Sequence, residues 1–211
     1  MKKKKLYIII IIIIIILISL YNFIFPKTYT NKDFNIQNIK SNIDYDNDKI
    51  DDYTDIHDSA ISYIKTKPKY KSKYYSTGYP NDKYGVCTDV IGFAFLNSGY
   101  DLMKLVNEDI KNNKEIYNIK NPDINIDFRR VKNLKIYFDR NATILTTDIN
   151  KYWEFQKGDI VTFSNHIAII SEKRNKKGIP YIIHNSGNLK YIEDALTKYQ
   201  ITGHYRWKKT K

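Results

Sequence analysis

The alternation of apolar and polar positions changes character three times along the chain. Residues 6–25 form one uncharged, almost wholly apolar run with nine consecutive isoleucines at 8–16. At about 1.5 Å per residue such a run, as a helix, spans roughly the 30 Å hydrocarbon thickness of a bilayer. Residues 26–40 are polar and Asn/Lys-rich, the pattern of a tether. Beyond it Ile56, Ala60 and Ile64 keep helical spacing up to the breaker Pro68. A further helix is predicted from Cys87 to a stop at Gly99, a second through Leu102, Leu105, Val106 and Ile110, and a third through Leu134, Tyr137 and Phe138, with a polar loop at 121–130. From residue 158 the period falls to two. The β-branched runs 158–163, 166–171, 181–185 and 201–207 predict strands. Helices first and an antiparallel sheet second predict an α+β domain, preceded by one transmembrane helix.

Charge adds orientation to this picture. The 211 residues carry a formal net charge of +12, of which Lys2, Lys3, Lys4 and Lys5 flank the apolar run and the remaining +8 is scattered. Lysines on that flank hold the N-terminus in the cytoplasm, so the domain is expected outside a cell membrane crossed once. The rival reading is a cleaved secretory signal, against which residues 19–25 offer no small-x-small cleavage pattern. Scattered lysines describe a solvated surface, attracting anionic envelope polymers only non-specifically. No recognition motif points to nucleic acid, which is not expected as a partner. The 14% aromatic content, with 19 Tyr, excludes a mostly disordered chain. A single cysteine excludes an internal disulfide framework, a CxxC pair and a multi-cysteine zinc site.

Residues 44–55 repay a closer look. Asp44, Asp46, Asp48, Asp52 and Asp55 occupy the first, third, fifth, ninth and twelfth places of a twelve-residue window, with Ile50 seventh. That spacing suits a calcium loop, in which alternate side chains and one backbone carbonyl converge on a hard cation. Lys49 stands sixth, where glycine normally makes the sharp turn, and the closing residue is Asp rather than Glu. An acidic solvated linker is the alternative.

Cys87 is placed where a nucleophile is useful. The start of a helix offers partial positive charge and free N–H groups, which lower a thiol pKa and hold an oxyanion. His166 opens a predicted strand and can serve as base; His184, near the end of the adjoining strand, can orient it, with Asn185 as fallback. Each residue also has a plainer role, as a buried inert thiol and as structural histidines.

The segments Gly85-Val-Cys87-Thr-Asp-Val, Asn125-Ile-Asp-Phe-Arg-Arg-Val-Lys-Asn-Leu134, Gly158-Asp-Ile-Val, His166-Ile-Ala-Ile-Ile-Ser, Ile183-His-Asn185 and Ile201-Thr-Gly-His-Tyr205 resemble the bacterial family known as domain of unknown function 1287. That family in turn resembles the NlpC/p60 branch of papain-like cysteine hydrolases, which cut peptide or amide bonds in bacterial cell walls. The resemblance implies a papain-like catalytic domain at 68–211, behind an anchor at 1–25, a linker at 26–43 and the acidic segment with its helix at 44–67. It makes Cys87 the nucleophile, His166 the base and His184 the third member, needs no catalytic cofactor, and leaves calcium as a structural candidate. NlpC-type enzymes have Asp before the nucleophile and Ser after it, whereas Val86 and Thr88 stand here. Tyr84 is a candidate second oxyanion donor. Asp89 is expected to support the helix end. Asp127, Arg129 and Arg130 are candidates for binding a substrate carboxylate or, alternatively, for an internal salt bridge. Peptidoglycan peptides are the implied substrate. Rival readings are an inactive binding module, a thioester acyltransferase, and a zinc site on Cys87, His166 and His184.

Overall fold

The computed structural model describes residues 2–24 and 27–208, so the expected junction between anchor and linker at 25 and 26 lies outside the described residues. Helix α1 (Lys2–Ile24) is long and apolar enough to cross a membrane, with mean hydropathy 2.5 over Lys4–Tyr21 and none of that window buried. An unbroken stretch of β-branched isoleucine is a modest helix former in water, so its apolar character rather than propensity explains this element.

The predicted tether is partly docked. Tyr29 pairs antiparallel with Arg174, its N–H reaching Arg174 O at 2.9 Å, and a 3-10 turn follows at Asn31–Phe34. Arg174 is 1% exposed and donates to Asn31 Oδ1, Tyr152 O, Gly178 O and Phe155 O. A buried guanidinium demands such a set of acceptors, which fixes the segment to the domain.

Helix α2 (Asp52–Lys65) is capped by Asp51, whose side chain accepts the Thr54 N–H, and it lies on α3 (Cys87–Asn97). Then come α4 (Leu102–Asn112), the single turns α5 (Lys114–Tyr117) and α6 (Ile124–Asp127), and α7 (Val131–Asn141). The expected polar loop at 121–130 thus contains one helical turn. Strands β1 (Lys69–Tyr70) and β2 (Tyr84–Gly85) form a short parallel pair. The main sheet has six strands, all neighbours antiparallel, in the order β3 (Thr143–Ile144), β8 (Gly203–Arg206), β4 (Ile160–Thr162), β5 (Ile167–Arg174), β6 (Pro180–Ile183) and β7 (Ile192–Glu193).

Period-two alternation divides the sheet between two cores. Ile160, Ile167, Ile169 and Ile183 bury against helical residues including Val90, Ile91 and Phe95. Their neighbours Val161, Ala168, Ile170 and Ile182 bury on the opposite face with Phe155 and Leu196. Fully burying an Ile, Val, Leu or Phe side chain contributes about 1.5–3 kcal/mol, and the same strands do so on both faces. Two segments carrying the family resemblance meet inside this sheet: His204 Nε2 lies 3.0 Å from Asp159 Oδ2, and Arg206 binds the same carboxylate. Their role is structural. Helices packed on an antiparallel sheet make a mixed α and β fold.

Candidate active site

Cys87 is the first residue of α3 because Val86 stays extended (φ −126°) and Asp89 accepts the Val86 N–H at 2.7 Å. The thiol side chain is 5% exposed. Burial pushes it up to about 11, while the backbone N–H groups of Ile167 and Thr88 pull it down less strongly. Desolvation of the anion thus works against the lowered thiol pKa expected from the helix start.

Asp89 does support the helix, and it does more. Its carboxylate takes Arg129 Nε at 2.6 Å and Nη2 at 3.0 Å, and Arg129 Nη1 donates to Lys73 O at 2.7 Å. Both side chains are buried, so the expectation that Arg129 holds a substrate carboxylate gives way to the internal salt bridge. Asp127 is likewise turned inward, accepting the Asp123 N–H at 2.7 Å. Arg130, 3.8 Å from Asp127, is the exposed cation of the three. Asn185 donates to Pro68 O at 2.9 Å and Gly85 O at 3.1 Å, so it pins the approach to Cys87 instead of orienting a histidine. Tyr84 is half-buried, with the Lys71 and Lys73 ammonium groups 5.2 and 5.1 Å from its ring centre.

The register Ile169↔Ile183 brings the residues flanking β5 and β6 together. His166 Nε2 lies 2.7 Å from His184 Nδ1, with the rings nearly perpendicular at 78°. Burial and the neighbouring His184 depress His166 to about 4, and burial also lowers His184 despite the Glu193 carboxylate nearby. Both imidazoles are therefore neutral near pH 7. His184 Nε2 lies 3.3 Å from Glu193 Oε2, and no aligned hydrogen bond reaches that nitrogen among the described residues. Burial opposes the charge on Glu193, but Lys198 and Asn188 donate to it and hold its pKa below the ordinary value. Glu193 went unpredicted because it sits on a two-residue edge strand with no periodicity to mark it.

These groups meet only in part. His166 and His184 line a cleft of about 390 Å³ with Phe163, Asn165, Ser186 and Tyr199, and no Lys, Arg, Asp or Glu lines it. Cys87 is absent from that lining, and no hydrogen bond joins its sulfur to either imidazole among the described residues. It reaches the strand that follows His166 through the Ile167 N–H.

At the acidic segment the carboxylates of Asp44, Asp46 and Asp48 come within 4.8 Å of one another. Lys49 adopts φ +77°, the left-handed place where the turn favours glycine. Asp52 does not join them. It turns inward to accept the Tyr45 N–H and the Tyr100 hydroxyl. Asp55 is buried beside Ser59 and rises to about 6, mainly through desolvation, with Asp46 and Asp48 adding repulsion. Ile50 is exposed, and its N–H bonds Asp48 Oδ1 at 2.8 Å. Three oxygen donors on one turn suit a hard cation; the ninth and twelfth positions are held by protein partners.

No solved structure matches the chain. The uncharacterized protein YijF of Escherichia coli (strain K12) is 36% identical over 165 residues, covering 72% of this chain and 80% of that protein. The family model described as "Domain of unknown function (DUF1287)" matches residues 57–207, which include Cys87, both histidines and Glu193. The chain belongs to the DUF1287 family.

Proposed function

We propose that the chain is a membrane-anchored, extracytoplasmic cysteine hydrolase of papain-like NlpC/p60 type, cleaving peptide or amide bonds in peptidoglycan peptides. The observation that carries this reading is the bond between His166 Nε2 and His184 Nδ1. It leaves Nδ1 of His166 as the nitrogen for the thiol, and it sits one residue before the N–H that faces the Cys87 sulfur. The Glu193 carboxylate favours a proton on His184 Nε2. A neutral His184 then accepts at Nδ1, His166 donates from Nε2, and the lone pair of His166 is left on Nδ1.

With the proton resting on sulfur, the base acts during attack rather than through a preformed ion pair. Sγ bonds to the amide carbon, its proton passes to His166, and the carbonyl electrons move to an oxyanion held by the Cys87 N–H and Tyr84. Collapse expels the amine, which takes the proton from His166 and leaves a thioester. Water, deprotonated by His166, then releases the carboxylic acid and restores the thiol. An acyltransferase differs only in the acceptor. At Asp44, Asp46 and Asp48, with the Ile50 carbonyl, a bound calcium ion would brace the entry to α2.

One observation favours a second reading. The cleft beside the histidine pair does not include Cys87, which suits a module that binds muropeptides or another surface protein without cutting them. Mass spectrometry of soluble muropeptides incubated with wild type and Cys87→Ala separates the two. Hydrolysis products lost in Cys87→Ala support the enzyme; equal inactivity over a broad panel passes the case to the binding module.

A further inference from the structure

We infer that the domain face built around Tyr29 and Trp153 rests on anionic lipid headgroups of the membrane that α1 spans; this depends on the anchored topology proposed above. The reach of the chain limits the geometry. Helix α1 ends at Ile24, and Tyr29 is already paired with Arg174. Extended chain covers at most about 3.6 Å per residue, so the five steps from Ile24 to Tyr29 reach no more than roughly 18 Å. The headgroup layer alone takes up about 6 Å of that. A domain of this size is about 40 Å across, so only the face bearing Tyr29 lies next to the bilayer.

The attachment is not a fraying end. Arg174 is buried and bonds both to Asn31 and to the backbone of the Tyr152 segment, so the pairing of Tyr29 is tied into the domain.

The composition of that face fits its position. Rings run in contact from Tyr29 to Phe34 (5.8 Å), Phe34 to Tyr152 (6.4 Å) and Tyr152 to Trp153 (5.5 Å), and Trp153 is 48% exposed. Tyr and Trp favour the headgroup level, where an apolar ring and a polar edge are both satisfied. Lys27 lies over the Tyr29 ring, and the exposed Lys176 and Lys177 occupy the turn whose Gly178 approaches the Tyr152 and Phe34 rings. Cations beside an aromatic belt are drawn to acidic lipids.

The test uses the full chain in vesicles of phosphatidylcholine with about 30% phosphatidylglycerol, carrying headgroup spin labels. The chain has two tryptophans, and Trp207 is buried at 2% exposure, so quenchable emission belongs to Trp153. Headgroup labels are expected to quench that emission, Trp153→Phe to remove the quenched share, and Lys176→Glu with Lys177→Glu to reduce it. A chain that floats with the vesicles while Trp153 stays unquenched overturns the inference and leaves the anchor standing. A chain that does not float overturns the anchor, and the inference with it.

Discussion

Arg129 closes on Asp89 through two hydrogen bonds, of 2.6 and 3.0 Å, immediately behind the first turn that presents Cys87. Because both partners are buried, Arg129→Leu strands a carboxylate without compensation. The expected loss of stability is about 3–5 kcal/mol, read from urea unfolding. Arg130→Ala, at an exposed side chain, should stay within about 0.5 kcal/mol. Equal effects at the two positions would contradict the internal pair.

The thiol should label late. Its pKa is raised from 9.0 to about 11 by burial, so iodoacetamide modification of the folded chain is expected to stay slow through pH 9, where an ordinary cysteine is already reactive. The same shift couples to stability. A raised folded pKa contributes stability in full below pH 9 and loses it as pH climbs towards about 11. A labelling midpoint near 8.5 would mean that the sulfur is more open than described.

Acid acts through the histidine pair. His166 is depressed from 6.5 to about 4, so the unfolded chain binds a proton that the folded chain refuses between those values. Stability present above pH 6.5 is therefore lost as pH falls towards 4. His166→Gln should flatten that part of the profile. The comparison is of urea midpoints at pH 7 and pH 5, and an unchanged slope would show that other groups set it.

Glu193 should matter to turnover more than to folding. Without its carboxylate His184 loses the bias for a proton on Nε2, and His166 loses the matching tautomer. On a substrate cleaved in the muropeptide assay, Glu193→Ala is expected to lower kcat about ten- to a hundredfold with little change in KM. A purely structural residue would instead lower thermal stability and leave the activity per folded molecule unchanged.

Lys49 offers a handle on calcium. Glycine accepts φ +77° without strain, and Lys49→Gly removes a positive charge beside the Asp44, Asp46 and Asp48 carboxylates. The variant should show a calcium-dependent rise in melting temperature at lower ion concentration than wild type. No rise in either protein up to millimolar calcium would remove the ion from the proposal.

Much of this arrangement was legible in the chain order. Cys87 at a helix start, four of the six sheet strands (β4, β5, β6 and β8) and two histidines beside adjoining strands follow from local spacing and period. The pairs that decide their behaviour do not. Asp89 and Arg129 are 40 residues apart, and Asn31 and Arg174 are 143 apart; such contacts leave no periodic trace. A buried thiol was one of the two readings of Cys87 open in the sequence, but nothing local chose between it and the lowered pKa that the helix position suggests. Glu193 had no local signature because a two-residue strand is too short to alternate.

Strand β5 acts as a ruler. It begins beside His166 and ends at Arg174, which pairs with Tyr29, five residues beyond the end of α1. Eight steps at about 3.3 Å set the histidine pair roughly 25 Å from that anchoring point. On the proposed arrangement, with the Tyr29 face against lipid, the cleft at the other end of β5 would stand off from the bilayer and face polymer lying over it.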